Sequence, residues 1–173
     1  MTLGDLTCSK DYTDIPFAHR QHNHDGHCAF IHGHNWGFSF TFGAHEVDEN
    51  GFVIDFGKLK WLKEWINKNF DHALVLNHSD PYRDYLTTML QSGPTLMLPA
   101  SYTGSFAKIL VVPDASCEGL AQWLYWHVNA RLKEETNGRV VLMNVTVVED
   151  SKNSASFSPS DVYEEQEEDD DAN

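Results

Sequence analysis

Residues 34–42, His-Asn-Trp-Gly-Phe-Ser-Phe-Thr-Phe, place a ring at every second position. A repeat of two is the repeat of a β-strand, so His34, Trp36, Phe38, Phe40 and Phe42 share one face. Asn35, Gly37, Ser39 and Thr41 share the other. This is the pattern of a strand buried on one side, and the rest of the chain must supply its cover.

The covering elements can be read in order. Asp48-Glu49-Asn50-Gly51 is turn chemistry, and Phe52–Ile54 is expected to continue as extended chain. Asp55 can cap a helix from about Gly57 to Phe70. Its apolar side is Leu59, Leu62, Ile66 and Phe70, with Trp61 and Trp65 beside it and Lys58, Lys60, Lys63 and Lys68 outside. Ser116 can cap a second helix to about Lys133, along Leu120, Trp123, Leu124, Val128 and Leu132, and Asn137-Gly138 ends that connection. Residues 139–149 are rich in β-branched side chains and predict a long strand.

Pro81, Pro94, Pro99 and Pro113 punctuate the least regular stretch, 81–112. Only Tyr82–Leu90 and Phe106–Val112 are expected to form short elements there. Such a stretch reads as a lid, an oligomer contact or an insertion. The order strand, strand, helix, helix, strand predicts an α+β domain with two helices on one face of an antiparallel sheet. It is expected to span residues 1–157, with the insertion at about 81–112 and an acidic tail over 158–173.

Charge narrows the function. The 173 residues hold 26 acids against 12 bases, a formal net charge of −14. Eight of the acids lie in residues 161–173 with no base among them, which reads as a disordered, solvated tail. An acidic balance argues against nucleic acid and anionic membranes as partners. No apolar run approaches the roughly 20 residues of a membrane span, and Met1–Lys10 is not expected to be a signal peptide. Three cysteines make no disulfide framework, which points to a reducing, cytoplasmic setting.

Ten histidines are the chemical signal, and six of them fall within residues 17–34. His32 and His34 flank Gly33, and residues two apart on a strand point to one spot. Two imidazoles so placed suit zinc, which takes three protein ligands in a catalytic site. Surface or packing histidines are the plainer alternative. The third ligand is sought among His19, His22, His24 and His27. His19 is favoured because it follows the apolar Pro16-Phe17-Ala18, whereas the others sit in an Asn/Asp/Gly-rich turn.

Cys28, four residues before His32, is either a small buried hydrophobe or a thiolate stabilised by a nearby cation. Asp71-His72 is either a helix-end feature or an oriented proton shuttle for a neighbouring imidazole, one of another subunit included. Glu149 shares the parity of Val141, Met143, Val145 and Val147. It is either emerging into solvent or anchoring a donor-rich ligand.

Together these pieces resemble the 6-pyruvoyl-tetrahydropterin synthase family, and more closely its bacterial 6-carboxy-5,6,7,8-tetrahydropterin synthase branch. The resemblance rests on Phe17-Ala18-His19-Arg20, Cys28-Ala29-Phe30-Ile31-His32-Gly33-His34, Gly51-Phe52-Val53-Ile54-Asp55-Phe56, Asp71-His72, Ser116-Cys117-Glu118 and Glu149. It implies a T-fold whose subunits assemble into a barrel, commonly a hexamer. By that likeness His19, His32 and His34 bind Zn2+, Cys28 is the general acid/base, and Asp71 and His72 complete a proton relay. Glu149 anchors a pterin ring, with Ser116 and Cys117 beside it.

The implied substrate is 7,8-dihydroneopterin triphosphate. The implied products are 6-carboxytetrahydropterin, acetaldehyde and triphosphate, on the queuosine (7-deazaguanine) route. Loss of triphosphate alone, as in 6-pyruvoyl-tetrahydropterin synthases, and a non-catalytic metal- or pterin-binding module are the alternatives. Three residues separate Cys28 from His32, as in the bacterial branch. Ala29 stands where a folate-linked variant carries glutamate. An acidic domain that receives a triphosphate needs a local positive patch, expected from the metal and cations such as Arg20.

Overall fold

The computed structural model describes residues 6–92 and 107–159; the acidic stretch 161–173 and the middle of the 81–112 stretch lie outside the described residues. Strand β1 (Leu6–His19) pairs antiparallel with β2 (His32–Ala44), which contains the alternating aromatic run. After the Asp48–Gly51 turn, a short 3-10 turn (Phe56–Leu59) leads into α1 (Lys60–Asn69). Then follow β3 (Ala73–Asn77), α2 (Arg83–Ser92), β4 (Lys108–Val112), α3 (Cys117–Thr136), β5 (Val141–Val148) and β6 (Ser154–Phe157).

The six strands form one sheet in the order β4-β3-β1-β2-β5-β6. The expected antiparallel arrangement holds for β1, β2, β5 and β6. It does not extend to the other edge, where β3 pairs parallel with β1 and β4 parallel with β3. The sheet is therefore mixed, because each of those strands is reached through a helix rather than a tight turn. There are three helices among the described residues, where two were expected; α2 and β4 are the short elements within 81–112.

One face of the sheet carries the core. Trp36, Phe38, Phe40 and Phe42 are wholly buried with Phe17, Val75, Val145 and Val147. Leu62 and Ile66 of α1 and Leu120, Leu124, Val128 and Leu132 of α3 pack into the same cluster. The opposite face is polar: Ser9 Oγ and Thr41 Oγ1 lie 3.0 Å apart, and Ser39 Oγ donates to Asp11 at 2.6 Å.

Caps set the helix ends as the residue types dictate. Asp55 Oδ1 accepts from Gly57 N, and Ser116 Oγ accepts from Gly119 N at 2.9 Å. Asn137 closes α3 in the left-handed conformation, φ 50°, followed by Gly138 at φ 77°. Phe52–Ile54, expected as extended chain, instead bends, and Arg139 ties it back by donating to the Val53 and Glu46 carbonyls.

Two bulges decide which residues face inward. In β1, Tyr12 pairs with Phe38 and Ile15 with Trp36, so Thr13 and Asp14 together oppose Gly37. Asp14 takes φ 58° to do so. In β5, Asn144 pairs with Thr41 and Leu142 with Phe42, which leaves Met143 as the surplus residue. The inward set of β5 is therefore Leu142, Val145 and Val147; Val141 and Met143 are only half-buried, against the single alternation expected. Asn129, buried on α3, accepts from the Leu142 N–H beside that bulge.

Candidate metal centre

The core strands end in imidazoles. His19 is the last residue of β1 and pairs directly with His32, the first of β2, while Phe17 pairs with His34. The β1 bulge places His19 on the face of Ile15 and Phe17, so all three rings share the helix-covered side. Trp36 lies beneath them, stacked on Phe17 at 4.5 Å and edge-on to His19 at 4.8 Å and to His34 at 5.6 Å.

Backbone carbonyls fix the rings. His19 Nδ1 donates to the Ala115 carbonyl and His32 Nδ1 to the Phe30 carbonyl, each at 2.8 Å. A carbonyl only accepts, so each ring proton sits on Nδ1 and each Nε2 offers a lone pair. Those two Nε2 atoms lie 3.1 Å apart. Glu149 Oε1 stands 3.3 Å from the Nε2 of His19 and 3.3 Å from that of His34. The latter contact is not aligned as a hydrogen bond and leaves the buried His34 Nε2 without a hydrogen-bond partner. Burial holds the His19 pKa below its ordinary value; the Ala115 bond opposes this and His32 reinforces it.

A ring of lone pairs facing inward is what a cation requires. The donor atoms of His19, His32, His34 and Glu149 all lie within 4.8 Å of one another. Around a tetrahedral zinc with bonds of about 2.0–2.1 Å, neighbouring donors stand about 3.3 Å apart. The residues therefore fit the metal that the sequence predicts.

The remaining sequence candidates are placed separately. His22, His24 and His27 stay in the β1–β2 connection and add nothing to the cluster. Cys28 is half-buried in a 3-10 turn, His27–Ala29, in the same connection, and its carbonyl accepts from Gln21. Phe30, 72% exposed, lies between Cys28 and His32. Asp71 and His72 do form a pair, Nδ1 to Oδ1 at 2.8 Å. However, the His72 side chain is 79% exposed, and His72 lies three residues before Val75, the partner of His19. That is about 10 Å along the strand, so the pair stands apart from this chain's own cluster.

Ser116 spends its hydroxyl capping α3. Cys117 Sγ donates to the Val147 carbonyl at 3.2 Å, and burial pushes its pKa up to about 11. Arg20, expected to supply positive charge, is tied to Asp80, 3.2 Å away with its carboxylate fully buried. Neither atom of that contact has an aligned hydrogen-bond partner, so the pair is held by charge, and the charge of Arg20 is neutralised. The Asp80 partner and the carbonyls of Ala115 and Phe30 are absent from the sequence reading, and Trp36 is in it as a core ring but not as the floor of the cluster. Only Trp36 carried a signal, as the next inward residue after His34.

The family model described as 6-pyruvoyl tetrahydropterin synthase matches residues 7–160. The chain belongs to that family. A 6-carboxy-5,6,7,8-tetrahydropterin synthase of Rickettsia typhi is 44% identical over 68 residues, covering 39% of this chain and 49% of that protein. The chain thus spans about half the length of that curated relative. An uncharacterized protein of Wolinella succinogenes shares the fold, with a TM-score of 0.72 at 19% identity over 89% of this chain and 98% of that one. The 6-pyruvoyl tetrahydropterin synthase of Caenorhabditis elegans does too, at 0.58 and 19% identity over 91% and 98%. The family is enzymatic and acts on pterins, and the fold is its T-fold. Among the described residues no helix is long and apolar enough to cross a membrane.

Proposed function

We propose that this protein is a cytoplasmic, zinc-dependent 6-carboxy-5,6,7,8-tetrahydropterin synthase of the queuosine route. It acts as a carbon-carbon lyase on 7,8-dihydroneopterin triphosphate, releasing 6-carboxytetrahydropterin, acetaldehyde and triphosphate with water consumed. The observation that carries the proposal is the convergence of three imidazoles, His19, His32 and His34, on one point, with the Nε2 lone pairs of His19 and His32 turned toward it. The curated relatives' names and the Cys28–His32 spacing favour the carboxy product over the pyruvoyl one.

His19, His32 and His34 would hold the metal, which when bound supplies Lewis acidity toward the substrate's side-chain hydroxyls. Cys28 holds and moves a proton at Sγ. Asp71 orients His72 through the 2.8 Å bond, and His72 passes protons at its other nitrogen. Since that pair is exposed and away from its own cluster, it serves the site of a neighbouring subunit in a homo-oligomer, hexameric by resemblance. Glu149 accepts the guanidine-like N–H edge of the pterin, beside Ser116 and Cys117.

Zinc-loaded protein incubated with 7,8-dihydroneopterin triphosphate tests this by mass identification of the carbon products. Acetaldehyde with a 6-carboxy pterin supports the proposal. A 6-pyruvoyl product replaces it with triphosphate elimination alone, and no turnover leaves a binding module.

A further inference from the structure

Two demands meet at Glu149. The alternation of β5 carries it past Val148 to the face of Val145 and Val147. There its Oε1 is 3.3 Å from two imidazole nitrogens, spaced as a fourth donor around a small cation. The His19 contact is not a hydrogen bond, because the His19 ring proton is already committed to Ala115, and the His34 contact is not aligned as one. A carboxylate against lone pairs is repelled unless a cation lies among them. The spacing is therefore that of a ligand.

The pterin role asks something else of the same group. A flat edge with two N–H donors is best met by both oxygens of one carboxylate in a paired, charge-assisted contact. An oxygen committed to a cation is not free for that pairing. The side chain is 22% exposed, so it is not sealed against the cluster.

We propose that Glu149 is an exchangeable ligand: it closes the fourth position of the metal centre in the substrate-free protein and leaves it for the pterin edge. Arrival of the ring and opening of a position for the substrate's hydroxyls are then one event. A molecule with hydroxyls but no such edge meets a closed centre, so ring recognition gates access to the metal. The inference rests on the metal-centre reading above and adds the exchange to it.

The test uses full-length protein loaded with Co2+, whose visible absorption reports its ligand set, and unsubstituted pterin, which has the edge but no side chain to reach the metal. The wild type is expected to change its Co2+ spectrum as pterin saturates. Glu149→Gln is expected to show a different starting spectrum, metal affinity at least about 10-fold weaker, and no further change with pterin. Circular dichroism confirms that the variant is folded, and Glu149→Asp, whose shorter arm breaks the spacing, should also lose the pterin-induced change. Equal affinity and equal spectra for wild type and Glu149→Gln would overturn the exchange, as would a wild-type spectrum unmoved by bound pterin. A wild type that turns substrate over with such a spectrum loses the exchange alone. A wild type that binds no Co2+ or zinc loses the metal centre with it.

Discussion

His19 and His32 are direct partners across the β1–β2 ladder, and their Nε2 atoms lie 3.1 Å apart with both Nδ1 protons given to carbonyls. Two lone pairs this close repel one another, so a cation bound between them is expected to stabilise the fold. With zinc at a thousand times its dissociation constant the folded state gains about 4 kcal/mol. For a chain of this size that raises the unfolding midpoint by about 8–16 °C. His32→Ala should lose the rise, and a calorimetric scan with and without zinc checks it.

Trp36 connects packing to the site. It is fully buried, stacks on Phe17, and donates from Nε1 to the Phe17 carbonyl at 3.2 Å. Trp36→Phe should cost about 1–3 kcal/mol through the lost hydrogen bond and lost area, and Trp36→Ala about 3–5 kcal/mol. Both should also weaken zinc binding, because the ring supports His19 and His34 edge-on. Urea unfolding of metal-free protein and a zinc titration separate the two effects.

The three free cysteines should differ in reactivity. Burial pushes the Cys117 thiol to about 11, helped by the Glu149 and Glu118 charges against bonds from the backbone; burial also raises Cys8. At about pH 8 only about one Cys117 in a thousand is thiolate. Timed alkylation with mass mapping should find Cys28 labelled first and Cys117 last. Fast labelling of Cys117 would contradict its bond to Val147.

His127 should make stability depend on pH. It stacks on Trp65 at 4.3 Å, and burial, with Arg131 nearby, holds its pKa below the ordinary value. The unfolded chain therefore takes up this proton first as pH falls. The contribution is full above about pH 6.5 and is lost as pH drops toward the depressed value. His127→Phe keeps the stack and removes the titration. The wild type should lose stability relative to it between about pH 7.5 and 5. Urea midpoints of both metal-free proteins give that difference, in which His19 cancels.

Much of this was readable from residue order. The 34–42 alternation is β2, the apolar lines of α1 and α3 are their buried faces, and His32 and His34 converge as their spacing demands. β1 was hidden because its bulge breaks the alternation between Tyr12 and Ile15, so only its end, Phe17–His19, stood out. The parallel edge was hidden because partner choice in a sheet depends on helices that carry strands back, and those lie partly within 81–112. Arg20 misled because the sequence shows its charge but not Asp80, sixty residues on, which cancels it. The ligand-orienting groups are backbone carbonyls, which no residue type announces.

The extra residue at Met143 makes β5 two strands in different phase, joined at one point. Removing Met143 would bring the halves into step, with Leu142, Val145, Val147 and Glu149 still facing inward. Removing any single residue from 145 to 148 would turn the earlier part of the strand out of the core or swing the carboxylate to the polar face. Loss of a residue from this strand is thus absorbed at the bulge and disabling beyond it. A relative that is one residue shorter here can keep the same chemistry.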